Sequence, residues 1–326
     1  MRKRLLLAVA LIFVLVFSMQ AGARQYKLIF GHMGTTDTAY HAVAEYMASR
    51  VAELTKGNVT IEVYPNAELG NELDLFEQVM MGVTDFTIVN PGVTVEFSQT
   101  MNFFNFPFMY DNHEHWEKVF TSPLLEKISK RVEKEAGVMI LGIIGGGERF
   151  VVSRKPISKV EDLNGFLMRL APASITIDTW SSLGVQPTVV AYSEIYSALQ
   201  MGVIDGLENE PEWILRMRFY EQAPYLVKTA HEIVTRPIVM SAANFKKLPK
   251  EYQKAILVAA EEGAKLGREL GIKLDAESLQ ELVEKYDVKV INVNIEKIRE
   301  KTAGVIERNA KNLKLYDLIQ EAAKLR

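Results

Sequence analysis

Three polar residues, Glu208, Asn209 and Glu210, stand where a short apolar strand should end, in the stretch ALQMGVIDGLENEPEW. The stretch reads as the end of a helix, a glycine stop at Gly202, a strand, and then these side chains before Pro211. They could form a catalytic set, one edge of a ligand pocket, or only a turn. Ligands of open parallel sheets bind beyond the carboxyl ends of the strands, which favours the pocket edge.

Two arginines are also candidates for binding an anionic ligand. Arg169 lies inside the apolar stretch GFLMRLAPAS, and Arg149 follows the glycine run of GIIGGGERFVVS. A buried guanidinium is costly without an anionic partner. For Arg169 that partner is either a structural carboxylate or an anionic ligand held through two parallel N–H···O bonds. The glycine run could bring the backbone close to a ligand, but it lacks the P-loop and dinucleotide-binding patterns.

A secreted enzyme is one alternative, because glycine runs can build oxyanion holes and paired carboxylates can do acid–base work. The sequence has no G-x-S-x-G elbow, no cysteine, and no HExxH or triad-like pattern among its five histidines. His113 and His115 could bind a metal, but they are better explained as the polar first turn of a helix carrying Trp116 and Phe120. The sequence therefore predicts no catalytic residue, no metal and no cofactor.

The elements that must position these residues alternate between strand and helix. This alternation predicts an α/β architecture with a largely parallel sheet. Near the C-terminus a long helix is predicted with a weak break at Gly271, followed by a strand and more helix. The predicted ranges are strands 27–30, 59–64, 83–89 and 288–293, and helices 38–54, 73–81 and 251–286.

One short motif occurs twice. MGVTD at 81–85 returns as MGVID at 201–205, and the prolines that follow are preceded by Asn90 and Glu210. Each glycine can end a helix in the left-handed conformation before a strand begins. The match indicates two related α/β halves. If these halves face each other, Asn90 and Asn209 line one cleft from opposite sides.

The N-terminus has the pattern of a secretory signal peptide. Arg2-Lys3-Arg4 precedes an apolar run at 5–17, and small residues end in an A-x-A pattern at Ala23. Cleavage near Ala23 would release an exported mature protein; a retained anchor is the alternative. Removing residues 1–23 takes away three basic side chains and no acid, which changes the net charge from −3 to −6. An acidic chain argues against nucleic acid as a partner.

Several stretches together resemble the solute-binding proteins of tripartite ATP-independent periplasmic (TRAP) transporters. They are YPNAELGNELDLFEQVMMGVTDF, VEDLNGF, RLAPAS and LGVQPTVVAYSEIYSALQMGVIDGLENE, and the resemblance covers about residues 26–310. It implies a periplasmic-binding-protein-like fold: two α/β domains with a ligand cleft between them and a long helix spanning both. We assign residues 24–146 plus about 236–275 to domain I, and 147–235 plus about 276–326 to domain II.

The resemblance also implies roles for individual residues. Arg169 matches the strand arginine that grips the ligand carboxylate, Arg149 matches a second arginine that assists it, and Asn209 matches an asparagine that donates to the same group. Asn90 falls where the family often contacts the other end of the ligand. The loop from His32 to Thr35 falls at the first domain's contribution to the pocket.

Two further residues complete the candidate site. The family usually reads Glu-Asn-Pro, whereas this chain has an additional acid, Glu210, before Pro211. Glu210 could face solvent, pair with Arg149, or recognise a hydroxyl or amine of the ligand, and a structural role is favoured. Trp213 is close enough to this edge to form a hydrophobic wall, although a core position is the simpler interpretation.

The resemblance implies a non-enzymatic role in import. The chain would capture a small organic acid, such as a dicarboxylate, and deliver it to the small and large membrane subunits of a TRAP transporter driven by an ion gradient. A binding protein of an ATP-driven importer, or of a chemoreceptor, is the alternative within the same class. Some family members pair through their C-terminal helices, so homo-oligomer contacts are expected within 296–325.

Overall fold

The computed structural model describes residues 25–326; the predicted signal peptide lies outside this range. Two separate sheets organise the described chain, which confirms the predicted α/β fold. The strands of the first sheet are β1 (Tyr26–Gly31), β2 (Val59–Tyr64), β3 (Phe86–Ile88), β4 (Val138–Glu148) and β10 (Ile233–Ser241). Those of the second are β5 (Phe150–Ser153), β6 (Leu167–Leu170), β7 (Gln186–Val189), β8 (Gly206–Asn209), β9 (Tyr225–Lys228) and β11 (Lys289–Asn292). The first sheet has the strand order β2-β1-β3-β10-β4, and the second has the order β11-β9-β5-β8-β6-β7.

Helices cover the faces of both sheets. Most strand pairs are parallel, but β10, next to the edge strand β4, runs antiparallel to both β3 and β4. In the second sheet β5 likewise runs antiparallel to both β8 and β9. The helices are α1 (Ala39–Leu54), α2 (Glu72–Met81), α3 (His113–Thr121), α4 (Pro123–Ala136), α5 (Ser174–Ser181), α6 (Ile195–Gln200), α7 (Pro211–Arg216), α8 (Ala242–Lys247), α9 (Lys250–Glu284), α10 (Ile295–Asn312) and α11 (Tyr316–Ala323). None of the helices within 25–326 is both long enough and apolar enough to cross a membrane.

The chain passes twice between the sheets through adjacent strands. It leaves the first sheet where β4 meets β5, at Arg149, and returns where β9 leads into β10. The backbone N–H of Arg149 donates to the carbonyl of Glu232 at 3.0 Å, so the two crossings are joined to each other. These crossings form a double-stranded connection between the two domains.

Helix α9 is the third connection, and it is one continuous helix of 35 residues, about 52 Å long at the standard rise. The weak break predicted at Gly271 is wrong. Gly271 instead lets the helix lie directly on the crossing strand, because a Cβ there would come within 2.4 Å of the Gly145 carbonyl oxygen. Gly145 itself has a φ of 111°, in the region that favours glycine.

The repeated MGV motif forms the same turn twice. Gly82 and Gly202 both adopt left-handed φ values, 73° and 72°. Asp85 then accepts a hydrogen bond from the N–H of Ile29 at 2.8 Å, and Asp205 accepts one from that of Leu167 at 3.3 Å. Each aspartate thus fixes the neighbouring parallel strand. Because 83–84 close the turn on the preceding helix, the observed strand β3 is shorter than predicted.

The C-terminal helices pack against different domains. Helix α10 contacts α5 in the second domain. Helix α11 contacts α4, which lies on the first sheet, and its Ala322 carbonyl accepts from the His115 ring at 2.9 Å. The buried side chains of α11 belong to a hydrophobic cluster that includes strand β4 and also Ile175 of α5 and Val305 of α10. The division that assigns all of 276–326 to domain II stays a prediction.

Candidate ligand-binding site

A pocket lies between the two domains, at the carboxyl ends of strands from both sheets. Most of its wall is buried, so the two domains are closed over it. The first domain and its crossing strand contribute Met33, Tyr40, Glu72, Asn90 and Arg236; the second domain and the other crossing contribute Arg149, Arg169, Tyr192, Asn209 and Trp213.

Arg169 projects from β6 into this pocket without a carboxylate partner. It is 5% exposed, and its Nε donates to the carbonyl of Val190 at 3.1 Å. Its terminal nitrogens form neither a hydrogen bond nor an ion pair with any described residue, and its guanidinium lies 5.6 Å from the Tyr192 ring centroid. Burial lowers the pKa of Arg169. A buried, unpaired guanidinium is the feature expected of an anion site.

Arg149, in contrast, is held by protein carboxylates. Its Nε pairs with Glu208, and its Nη1 donates to Glu210 at 2.7 Å. The other oxygen of Glu210 accepts from Arg236 at 2.7 Å. Burial opposes the ionisation of Glu208, but Arg149 and His231 outweigh it and lower the pKa to about 2. These ion pairs connect both crossing strands. Glu210 bridges Arg149 and Arg236, which agrees with the structural role favoured for it.

The two asparagines lie at the ends of strands on opposite walls: Asn209 is the last residue of β8, and Asn90 follows the end of β3 by two residues. The amide of Asn209 donates to the Tyr192 hydroxyl at 3.0 Å, which orients that hydroxyl. The side-chain oxygen of Asn90 accepts from the N–H of Gly92 at 2.9 Å, so its amide nitrogen is left without a protein acceptor among the described residues. Both side chains line the pocket and can offer donors to a ligand.

Glu72 is the acidic component of the wall. It occupies the first turn of α2 and is 9% exposed. One of its oxygens accepts from the backbone N–H of Asn90 at 3.0 Å. Burial raises its pKa, while the charge of Arg236 acts in the opposite direction. The pocket therefore has an acceptor as well as a cationic group.

The predicted His32–Thr35 loop contributes Met33 to the wall rather than its end residues. The His32 ring is fully buried and 3.3 Å from that of His41, and burial followed by this neighbour lowers its pKa to about 4. Thr35 is exposed, and its hydroxyl donates to Asp37 at 2.5 Å. Trp213 does line the pocket, where its ring meets that of Tyr40 at 5.4 Å, edge to face.

A second cavity adjoins the first behind Trp213 and contains two buried acids. Asp275 of α9 accepts from the N–H of Glu212 at 2.9 Å, and each side chain has one oxygen with no partner in the described structure. Burial, followed by the charge of Glu210, raises the pKa of Asp275 to about 8 and that of Glu212 to about 7. Gly147 is needed here, because a Cβ would fall 1.5 Å from the Asp275 carboxylate. The glycine run thus lies against the long helix.

Four pocket residues were missed by sequence reasoning. One had a usable signal: Arg236 lies inside the apolar strand IVTRPIVMS, just as Arg169 lies inside β6. Glu72 looks like an ordinary acid in a helix first turn, where it is favourable for the helix dipole. Tyr40 and Tyr192 have no local pattern that separates them from core aromatic residues.

The histidine pair is accounted for by the fold. His113 begins α3, and its ring lies 2.5 Å from the Gly146 carbonyl oxygen, while the His115 ring contacts the carbonyl of Ala322. Trp116 and Phe120 of the same helix are buried in the first domain's core. This arrangement matches the polar first turn expected from the sequence.

Two α/β domains, three connections and a pocket between them that contains an unpaired buried guanidinium define a protein of the solute-binding class. A family profile described as bacterial extracellular solute-binding protein, family 7, matches residues 30–312. The chain belongs to this family, whose members act with TRAP transporters in the periplasm. A solute-binding protein of Sulfitobacter sp. (strain NAS-14.1) is 36% identical over 272 residues, covering 83% of this chain and 82% of that protein.

Solved structures of TRAP periplasmic solute-binding proteins share the fold. One from Sulfitobacter sp. NAS-14.1, with bound α-D-taluronate, has a TM-score of 0.88 and 33% identity, covering 91% of this chain and 97% of that one. One from Pseudomonas putida F1, with bound D-glucuronate, has a TM-score of 0.86 and 27% identity, covering 91% and 96%. One from Roseobacter denitrificans OCh 114, with bound L-galactonate, has a TM-score of 0.81 and 28% identity, covering 87% and 94%.

Proposed function

We propose that this solute-binding protein captures a sugar acid in the cleft between its domains and releases it to a TRAP transporter. The observation that carries the proposal is Arg169, a guanidinium that is 5% exposed and has no carboxylate partner among the described residues. A ligand carboxylate supplies that partner. The sugar acids bound to the similar proteins have the required carboxylate, together with hydroxyls for the polar wall.

The remaining candidate residues take supporting roles. Asn90 and Asn209 offer amide donors from opposite walls, and Trp213 packs an apolar ring beside the ligand. Arg149 and Glu210 join the crossing strands, and the Arg149 side chain lies in the pocket wall with its charge paired to Glu208 and Glu210. His32 and Thr35 act through the shape of their loop, whose Met33 faces the pocket.

The partners and the location follow from the same proposal. The ligand-loaded protein docks on small and large membrane subunits, and an ion gradient drives import. The protein performs no chemical conversion of its ligand. Cleavage of the signal peptide near Ala23 releases the exported protein into the periplasm, and mass spectrometry of the periplasmic protein tests this. Pairing of two copies through 296–325 remains a prediction, which light scattering of the purified protein can check.

A thermal-shift screen on ligand-stripped protein tests the binding function. Hexuronates and hexonates should raise the melting temperature, and Arg169→Ala should abolish that rise, because loss of one partner of a desolvated charge pair costs about 2–5 kcal/mol. Arg154→Ala is the control, since Arg154 is exposed on the same domain. An unchanged ligand-induced shift in Arg169→Ala would refute the proposed site. Turnover of a bound acid would favour an enzyme instead.

A further inference from the structure

The pocket has two charged side chains that no ion pair satisfies, one from each domain. Arg169 offers its terminal nitrogens, which have no protein partner in residues 25–326. Glu72 offers one carboxylate oxygen, because its other oxygen is occupied by the N–H of Asn90 at 3.0 Å. Both side chains are at most 9% exposed. Closure therefore brings an unpaired cation and an unpaired anion to the same small space.

The other charges of the wall are already compensated. Arg149 pairs with Glu208 and Glu210, and Arg236 pairs with the second oxygen of Glu210. A ligand thus meets one available positive group and one available negative group. We propose that Glu72 is a specificity residue that restricts the cleft to acids with one carboxylate and a hydroxyl-bearing remainder, and excludes dicarboxylates. This inference rests on the proposed sugar-acid function and narrows it.

The physical reason is the difference between a hydroxyl and a second carboxylate beside Glu72. A hydroxyl donates a hydrogen bond to the free oxygen of Glu72, and hydrogen bonds to charged groups are stronger than neutral ones. A second carboxylate has no proton to donate near neutral pH and repels Glu72 in a site shielded from water. Uncompensated like charges of this kind are an effective way to reject a wrong ligand.

Isothermal titration with matched pairs of acids tests the inference. Galactonate and galactarate are both open-chain acids that differ only in whether the far end is a hydroxymethyl or a carboxylate, and gluconate and glucarate form a second such pair. Wild type should prefer the monocarboxylate of a pair by at least about 10-fold, the scale of one charge-assisted hydrogen bond. Glu72→Gln should weaken binding of the monocarboxylate and strengthen binding of the dicarboxylate. It should therefore reduce the preference for the monocarboxylate by about 10-fold or more.

Two features keep the test sharp. Glutamine retains an oxygen that can accept from the N–H of Asn90, so the turn at the start of α2 keeps its hydrogen bond. Glu77→Gln is the matched control, because Glu77 is exposed on the same helix, and it should leave both affinities unchanged. Melting curves without ligand confirm that the variants are folded.

The outcomes separate this inference from the proposed function. Equal wild-type affinity for both acids of a pair, or the same preference in wild type and Glu72→Gln, would overturn the role of Glu72 while leaving sugar-acid binding intact. Tighter binding of an amino acid than of any hydroxy acid would also overturn it, because Glu72 would then be an ammonium site. Failure of every sugar acid to bind wild type would refute the proposed function itself.

Discussion

Arg216 and Asp37 form an ion pair between the two domains, with 2.7 Å between Nη1 and the carboxylate oxygen. Asp37 lies in the loop after β1, where Thr35 donates to its other oxygen, and Arg216 ends α7 in the second domain. Both side chains are partly exposed, at 55% and 28% for Asp37 and Arg216. This contact links the domains at the surface, outside the ligand pocket, and it must break when they separate.

The first prediction concerns this pair. Arg216→Asp should increase the rate of ligand release by up to about 5-fold, since exposed pairs contribute about 0.2–1 kcal/mol. The double variant Asp37→Arg with Arg216→Asp should recover most of the wild-type rate, because it restores opposite charges. Stopped-flow release measurements at low and high salt check this. A double variant as fast as the single one would show that charge pairing has no part in closure.

The second prediction concerns Glu210. Glu210→Gln should lower the free energy of unfolding by about 3–5 kcal/mol, because it leaves the buried guanidinium of Arg236 without its carboxylate and removes one of the two carboxylates paired with Arg149. Urea unfolding without ligand measures the loss. Glu300→Gln, a change at an exposed site, should be neutral. If Glu210 instead contacted the ligand alone, stability without ligand would be unaffected and only the ligand-induced increment would fall.

The third prediction is a pH dependence of stability. Burial raises the pKa of Asp275 from 3.8 to about 8 and that of Glu212 from 4.5 to about 7. At pH values between the ordinary and the raised pKa of each acid, the folded protein keeps a proton that the unfolded chain has released. The free energy of unfolding therefore falls as the pH rises, and it levels off above about pH 8. The groups facing Asp275 that set this window are Glu210, Glu212 and Arg149.

Asp275→Asn isolates this effect, because it mimics the protonated acid and keeps an acceptor for the Glu212 N–H. We expect a smaller decrease in melting temperature between pH 5.5 and 8.5 than in wild type. Glu277→Gln, on the exposed side of the same helix, should retain the full decrease. A variant that follows the wild-type curve throughout would mean that Asp275 is ionised in the folded protein.

The fourth prediction uses Trp213 as a reporter. Its ring centroid lies 5.4 Å from that of Tyr40 and 6.0 Å from that of Tyr192, and all three side chains line the pocket. Ligand binding should therefore change the intrinsic fluorescence, and Trp213→Phe should remove most of that change. Trp180→Phe is the control, because Trp180 is buried away from the pocket wall. An equal ligand-induced fluorescence change in Trp213→Phe and Trp180→Phe would exclude Trp213 as a ligand neighbour.

The sequence predicted the parts of the site that have a local signature. Arg169 stands out because a cation inside an apolar strand needs a partner, and Asn90 and Asn209 stand out because they end strands. Glu210 was noticed, but its second partner was not, since Arg236 meets it only after the chain has crossed back between the sheets. Such contacts depend on how the domains close, which no local pattern contains.

The same reasoning explains the smaller differences in the fold. Gly271 was expected to weaken a helix, because glycine has a low helix propensity. In the structure the absence of a side chain allows close contact with Gly145, and packing outweighs propensity. Glu72 escaped notice for a related reason: its position is favourable for helix capping whether or not a pocket lies beside it.

The twin MGV turns have a consequence for how this molecule could evolve. Asn90 and Glu210 occupy matching places after them, each immediately before a proline that starts a helical turn. Asn90 lies in the pocket wall, whereas Glu210 forms ion pairs with Arg149 and Arg236 on the two crossing strands. A substitution at Asn90 can therefore alter the pocket and leave the ion pairs that join the crossing strands intact.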